Sequence, residues 1–118
     1  MDFAVKLSAL YIVAWCCACR SHQQQQETLR YTKYTLAQCI AKAYPDTPVA
    51  TDARAALGGY LENGDLEADA YADATTLATN ASRKHYEGLN GEPLHVAKCL
   101  DLIGSPELEA LLNKHIRQ

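Results

Sequence analysis

The sequence predicts an all-α fold, a compact bundle of about five helices, on three observations. Apolar residues after Ser21 recur at three- and four-residue spacings, the repeat of one helix face. Helix breakers and caps stand between these stretches: Pro45, Thr47-Pro48, Asn63-Gly64, Asn90-Gly91 and Gly104-Ser105-Pro106. No alternating β-branched run competes with that pattern. With 118 residues, 48% hydrophobic and 21% charged, the chain has the length of one domain and an ordinary globular composition. Those proportions exclude a disordered chain and a polytopic membrane protein. The net charge is −3 and no basic block is longer than Arg83-Lys84, so no nucleic-acid partner is expected.

Residues 1–21 are expected to be a signal peptide, separate from a single helical domain over 22–118. The one Trp (Trp15), the one Phe (Phe3) and three of the five cysteines (Cys16, Cys17, Cys19) lie there. The apolar run over 7–19, broken only by Ser8, is too short for a bilayer span of ~20 residues but suits a signal-peptide core. Small residues allow cleavage before Cys19 or before His22. The first choice resembles a lipoprotein box, with Cys19 as the lipid-bearing residue, though Cys16 replaces the usual leucine. The expected location is therefore the periplasm, with no membrane span. The alternative is that 1–21 is a buried first helix of a cytosolic adaptor.

The helices follow in order. Leu29, Leu36, Cys39, Ile40 and Ala43 mark one face of a helix over about 27–44, ended by Pro45. Thr47 caps a second helix and Pro48 opens it. Ala53, Ala56, Leu57, Tyr60 and Leu61 are its expected inner face. Gly58-Gly59 inside it costs ~1 kcal/mol per glycine relative to alanine, which close helix approach or a kink would explain. Asp65 is expected to cap a third helix reaching about Tyr86, with Leu66, Ala70, Ala74, Leu77 and Ala81 inward. Pro93 opens a short fourth helix with Val96, Ala97, Leu100 and Ile103 inward. Ser105 caps the fifth, where Leu108, Leu111, Leu112 and His115 line the buried side.

Cys39 and Cys99 are the two cysteines beyond the leader. An even pair in an exported chain reads as a disulfide, here between the first and fourth helices. Closing a loop of about 60 residues stabilises by roughly 4 kcal/mol on the chain-entropy model. Two buried free thiols are the alternative.

No active site is expected. His22, His85, His95 and His115 lack neighbouring ligands, except that His95 and Cys99 are four apart. A third ligand is missing, so no metal and no cofactor is assigned. A periplasmic metal- or redox-handling role for His95, Cys99 and Cys39 is the competing reading. Ser105 is a helix cap, and neither Ser82 nor Ser105 stands in a nucleophile turn. The chemistry left is surface. Asp65, Asp69 and Asp73 form an acidic line at four-residue spacing, continued by Thr76 and Asn80 and flanked by Glu67 and Tyr71. Such a line is either a solvated face or a docking surface for a basic partner.

Three motifs carry a resemblance: Leu-Ala-Gln-Cys39, Tyr60-Leu-Glu-Asn-Gly64 and Lys98-Cys99-Leu-Asp101-Leu. Over roughly 31–115 the chain resembles the immunity proteins that protect bacteria against family-four peptidoglycan amidases of the type VI secretion system. The resemblance implies a periplasmic helical homodimer that blocks the cleft of an NlpC/P60-type cysteine amidase. It supplies no catalytic residue, and Cys39 and Cys99 match the family's paired cysteines. The expected contact segments are 62–73 and 86–92. The residues assigned to binding are Glu62, Asn63, Asp65, Glu67, Asp69, Tyr71, Asp73, Thr76, Tyr86, Glu87, Asn90 and Glu92.

Overall fold

A computed structural model describes residues 2–117 of the chain, with side chains from 21 to 117. Five helices run in order: α1 (Asp2–Ala43), α2 (Pro48–Asn63), α3 (Ala68–Ser82), α4 (His95–Leu100) and α5 (Pro106–His115). Among the described residues the only β pairing is an isolated bridge between Glu87 and Pro93. The fold is all-α, as the spacing predicts. The side-chain features of the leader lie outside the described residues. None of the described helices is long and apolar enough to cross a membrane.

α1 begins at Asp2, well before the expected start near Glu27. No glycine or proline interrupts 2–43, and the Gln tract consists of good helix formers, so the helix runs through it. Leu29 is also corrected, because it stands half-exposed. The buried residues of α1 spread around its circumference, from Tyr31, Tyr34 and Thr35 to Cys39, Ala41 and Ala43. The cause is position. α1 packs against each of the other four helices, so its covered surface is wider than one apolar stripe.

Local signals set α2 and α5 as expected. Thr47 accepts from the Ala50 amide and Ser105 from the Leu108 amide, and Pro48 and Pro106 open the helices. Ala50, Ala53 and Leu57 are the buried face of α2, whereas Ala56 and Leu61 are exposed. Open space surrounds Gly58 and Gly59, so close helix approach does not explain them.

α3 starts two residues later than expected and stops four earlier. Glu67 occupies the N-cap position, and Asp65 instead gives its amide to Glu27 Oε1 at 3.3 Å. That contact ties the turn before α3 to α1. Past Ser82 the chain leaves the helix because the Tyr86 carbonyl accepts from the Leu94 amide, at 3.0 Å. In α4 the expected inner residues Val96, Leu100 and Ile103 are half-exposed, while Lys98, Cys99 and Leu102 are buried. A helix of six residues has room for one contact face, and the bonds made by Lys98 and Cys99 choose it.

Two core clusters result. Tyr31, Tyr34, Leu57, Ala70, Ala74, Leu108 and Leu112 form the larger one, at the junction of α1, α2, α3 and α5. Cys39, Ala43, Ala78, Ala81, Cys99 and Leu102 form the smaller one. The Cys39–Cys99 disulfide crosses it, with Cα atoms 5.6 Å apart at a sequence separation of 60.

Candidate functional site

The residues assigned to binding divide into two patches. The 15-residue α3, about 22 Å long, separates them. One patch is the α2–α3 turn with the start of α3. The other is the loop 86–94.

In the first patch Glu62, Asp65, Glu67 and Asp69 are exposed, four acidic residues on a short path. The turn beneath them is anchored from α1. Glu27 takes the Asp65 amide and is itself held by Arg30 at 2.7 Å. Asn63 donates its side-chain amide to the Gly59 carbonyl at 2.8 Å. A Cβ on Gly64 would overlap the Tyr71 hydroxyl and press on the Tyr60 carbonyl, so only glycine lets the turn lie over that ring.

Tyr71 and Asp73 belong to the interior side of α3. The Tyr71 ring meets Tyr34 edge-on at 5.1 Å between centroids. Burial raises the Tyr71 hydroxyl pKa above its ordinary 10.0, with the Glu27 charge adding to the shift. Tyr31 beneath it donates to the Ala70 carbonyl at 2.7 Å and is also raised, chiefly by burial. Asp73 Oδ2 accepts from Lys114 Nζ at 2.9 Å and His115 Nε2 at 2.8 Å. Those bonds, Lys114 first, hold its carboxyl below the ordinary 3.8. The acidic line is therefore split: Asp65 and Asp69 face solvent, and Asp73 ties α3 to α5. Thr76 is exposed and borders a shallow groove between α3 and α5 with Asp73, Asn80 and Glu107.

The second patch is a braced loop. Besides the Tyr86–Leu94 pairing, Gly88 gives its amide to the Glu92 carbonyl at 2.8 Å and Asn90 gives its amide to Glu92 Oε2 at 2.9 Å. Gly91 adopts φ +78°, the left-handed region that favours glycine. Tyr86 donates to Asp101 Oδ2 at 2.8 Å, and that bond raises the Tyr86 pKa. Glu87 meets His85 at 2.6 Å. At the tip stands Leu89, fully exposed at 104% of the reference area. Leu89 is the residue that sequence reasoning missed. Its signal was present: a leucine inside Gly88-Leu89-Asn90-Gly91 has no helical or strand neighbour to pack on.

Nothing in this surface assembles catalytic groups. Among the described residues no cluster of three or more His, Cys, Asp or Glu could hold a metal. Cys99 is committed to the disulfide, so the His95–Cys99 ligand pair of the competing reading does not exist in this state.

Comparison with known proteins decides the family. Residues 30–112 match the family described as Tai4, type VI secretion system (T6SS), amidase immunity protein. The chain belongs to this family. It is an immunity protein for a T6SS amidase effector, and thus an inhibitor rather than an enzyme. Among solved structures it is similar to one titled as the effector–immunity system Tae4/Tai4 from Salmonella typhimurium, a selenomethionine variant. The two share 29% identity with a TM-score of 0.69, over 77% of this chain and 92% of that one. The search of curated proteins found no match. Membership of the Tai4 family gives the protein a partner, an amidase effector.

Proposed function

We propose that the protein silences its amidase by occlusion: the 86–94 loop carries Leu89 into the active-site cleft while the acidic α2–α3 turn contacts the cleft's rim. The observation that carries this reading is Leu89, wholly exposed on a loop whose backbone is bonded on both sides of it. A preordered loop loses little conformational freedom on binding, and an apolar tip gains by leaving water. The helix that separates the two patches, α3, is about 22 Å long. A standard interface of about 800 Å² per partner is roughly 30 Å across, enough to cover both. The target on this reading is an NlpC/P60-type cysteine amidase, and the catalytic Cys and His belong to it.

Three further features complete the proposal. Residues 1–21 act as an export leader, with lipid attachment at Cys19 as the variant form, and the domain over 22–118 works in the periplasm. The Cys39–Cys99 disulfide supports this location, because such bonds persist in oxidising compartments. The protein works as a homodimer, a symmetric pair being the commonest assembly.

Titration into a peptidoglycan-cleavage assay of the amidase tests the proposal. The unaltered protein should abolish cleavage at stoichiometric amounts. Leu89→Asp should weaken inhibition by about a hundredfold with unchanged melting temperature. Asp69→Lys should slow association, and more so at low salt. Full inhibition by Leu89→Asp would remove the loop from the cleft.

A further inference from the structure

Segment 83–104 is attached to the rest of the molecule in an unusual way. α4 is its only helix, and apolar burial there is small: Val96, Leu100 and Ile103 are half-exposed, and Leu102 is the large apolar side chain it buries. What it meets in the smaller core is Ala43, Ala78 and Ala81, with Leu36, Ile40, Tyr44 and Leu77 only partly buried around them, and His95 touches the Tyr44 ring edge-on at 5.2 Å between centroids. Neighbouring positions make three specific links, two within the segment and one leaving it. Lys98, buried, donates from Nζ to the Lys84 carbonyl at 3.3 Å, just past the end of α3. Cys99 is bonded to Cys39 of α1. Asp101 accepts from Tyr86 at the base of the Leu89 loop. Of these, the disulfide alone reaches α1, and both its sulfurs lie in residues with no exposed area.

We propose that the Cys39–Cys99 disulfide is a redox latch for this segment: oxidised, it docks α4 on α1 and so holds the Leu89 loop in place; reduced, it frees 83–104 while the rest of the bundle stays folded. The bundle survives because the larger core, joining α1, α2, α3 and α5, contains neither cysteine. The exchange balances with a dithiol as reductant. Its two thiols close into a disulfide, and two electrons and two protons pass to the sulfurs of Cys39 and Cys99. The reverse step needs a disulfide donor and returns two thiols to it. A chain still in a reducing compartment would then carry an unplaced loop, and oxidation would complete the inhibitor. The link to inhibition rests on the occlusion reading above; the latch itself does not.

Hydrogen exchange on the full chain tests it, comparing oxidised protein, protein held in dithiothreitol, and Cys39→Ala/Cys99→Ala. The alanine variant removes thiol chemistry from the comparison. The latch requires protection over 94–103 to fall by roughly tenfold or more in both reduced forms, with α2, α3 and α5 unchanged. Equal protection in all three forms would overturn it. So would a loss spread over every helix, since the disulfide would then hold the whole fold. Inhibition of the amidase is read on the same samples. Local release with undiminished inhibition supports the latch and overturns the loop's place in the cleft, which keeps the two failures apart.

Discussion

Gly58 and Gly59 stand in the middle of a regular helix with nothing within 4 Å of where a side chain would begin. Neither has a backbone angle that requires glycine. Gly58→Ala and Gly59→Ala should therefore each stabilise the fold by about 0.5–1 kcal/mol, by lowering the entropy of the unfolded chain and favouring the helix. Thermal unfolding reads this as a rise of roughly 2–6 °C per change for a domain of this size. Gly64 is the contrasting case. Gly64→Ala must displace the Tyr71 ring or bend the turn, so the same measurement should show a fall. Three glycines in seven residues thus differ in sign for reasons a composition count does not contain.

At the scale of elements, the charge contact between α3 and α5 gives a pH dependence. Asp73 has a folded-state pKa below its ordinary 3.8, set first by its bond from Lys114 and then by His115. A depressed carboxylate contributes stability that is complete above its unfolded pKa and disappears as pH falls through the folded one. The unaltered protein should thus lead Asp73→Asn at neutral pH, and the gap should close below about pH 4. Urea unfolding at a series of pH values checks it; a gap independent of pH would mean that Asp73 acts without its charge. The same contact shows where sequence reading stopped. α2 and α5 were legible because their caps, Thr47 and Ser105, bond to amides three residues on. The start of α3 was not, since Glu27, 38 residues away, takes the Asp65 amide. The acidic line was visible as composition, but its split depends on Lys114 and His115, about forty positions downstream. Likewise the covered face of α4 follows from Cys39, and no periodicity within 93–104 reports that. The loop 86–94 is legible as a turn from Gly88, Asn90-Gly91 and Pro93, and the same breakers leave Leu89 no helix to pack on.

For the molecule as a whole, α1 is the common neighbour of α2, α3, α4 and α5. Tyr31 and Tyr34 place it inside the larger core and Cys39 inside the smaller one. Because α1 runs through both cores, unfolding of the oxidised protein should be one transition. Far-ultraviolet circular dichroism, which follows helix, and near-ultraviolet tyrosine signal should give superimposable curves. Separate midpoints would mean that part of the bundle stands without α1. The order of the elements has a consequence for how the chain comes into being. Synthesis runs from the N-terminus, so α1 is made before any of the surfaces that cover it. Tyr31 and Tyr34 wait for Ala70 and Leu108, and Cys39 waits through 60 residues for Cys99. Until the last helix arrives, the central apolar column of the finished protein is its most adhesive exposed surface, and a chaperone that shields such segments has its natural target there.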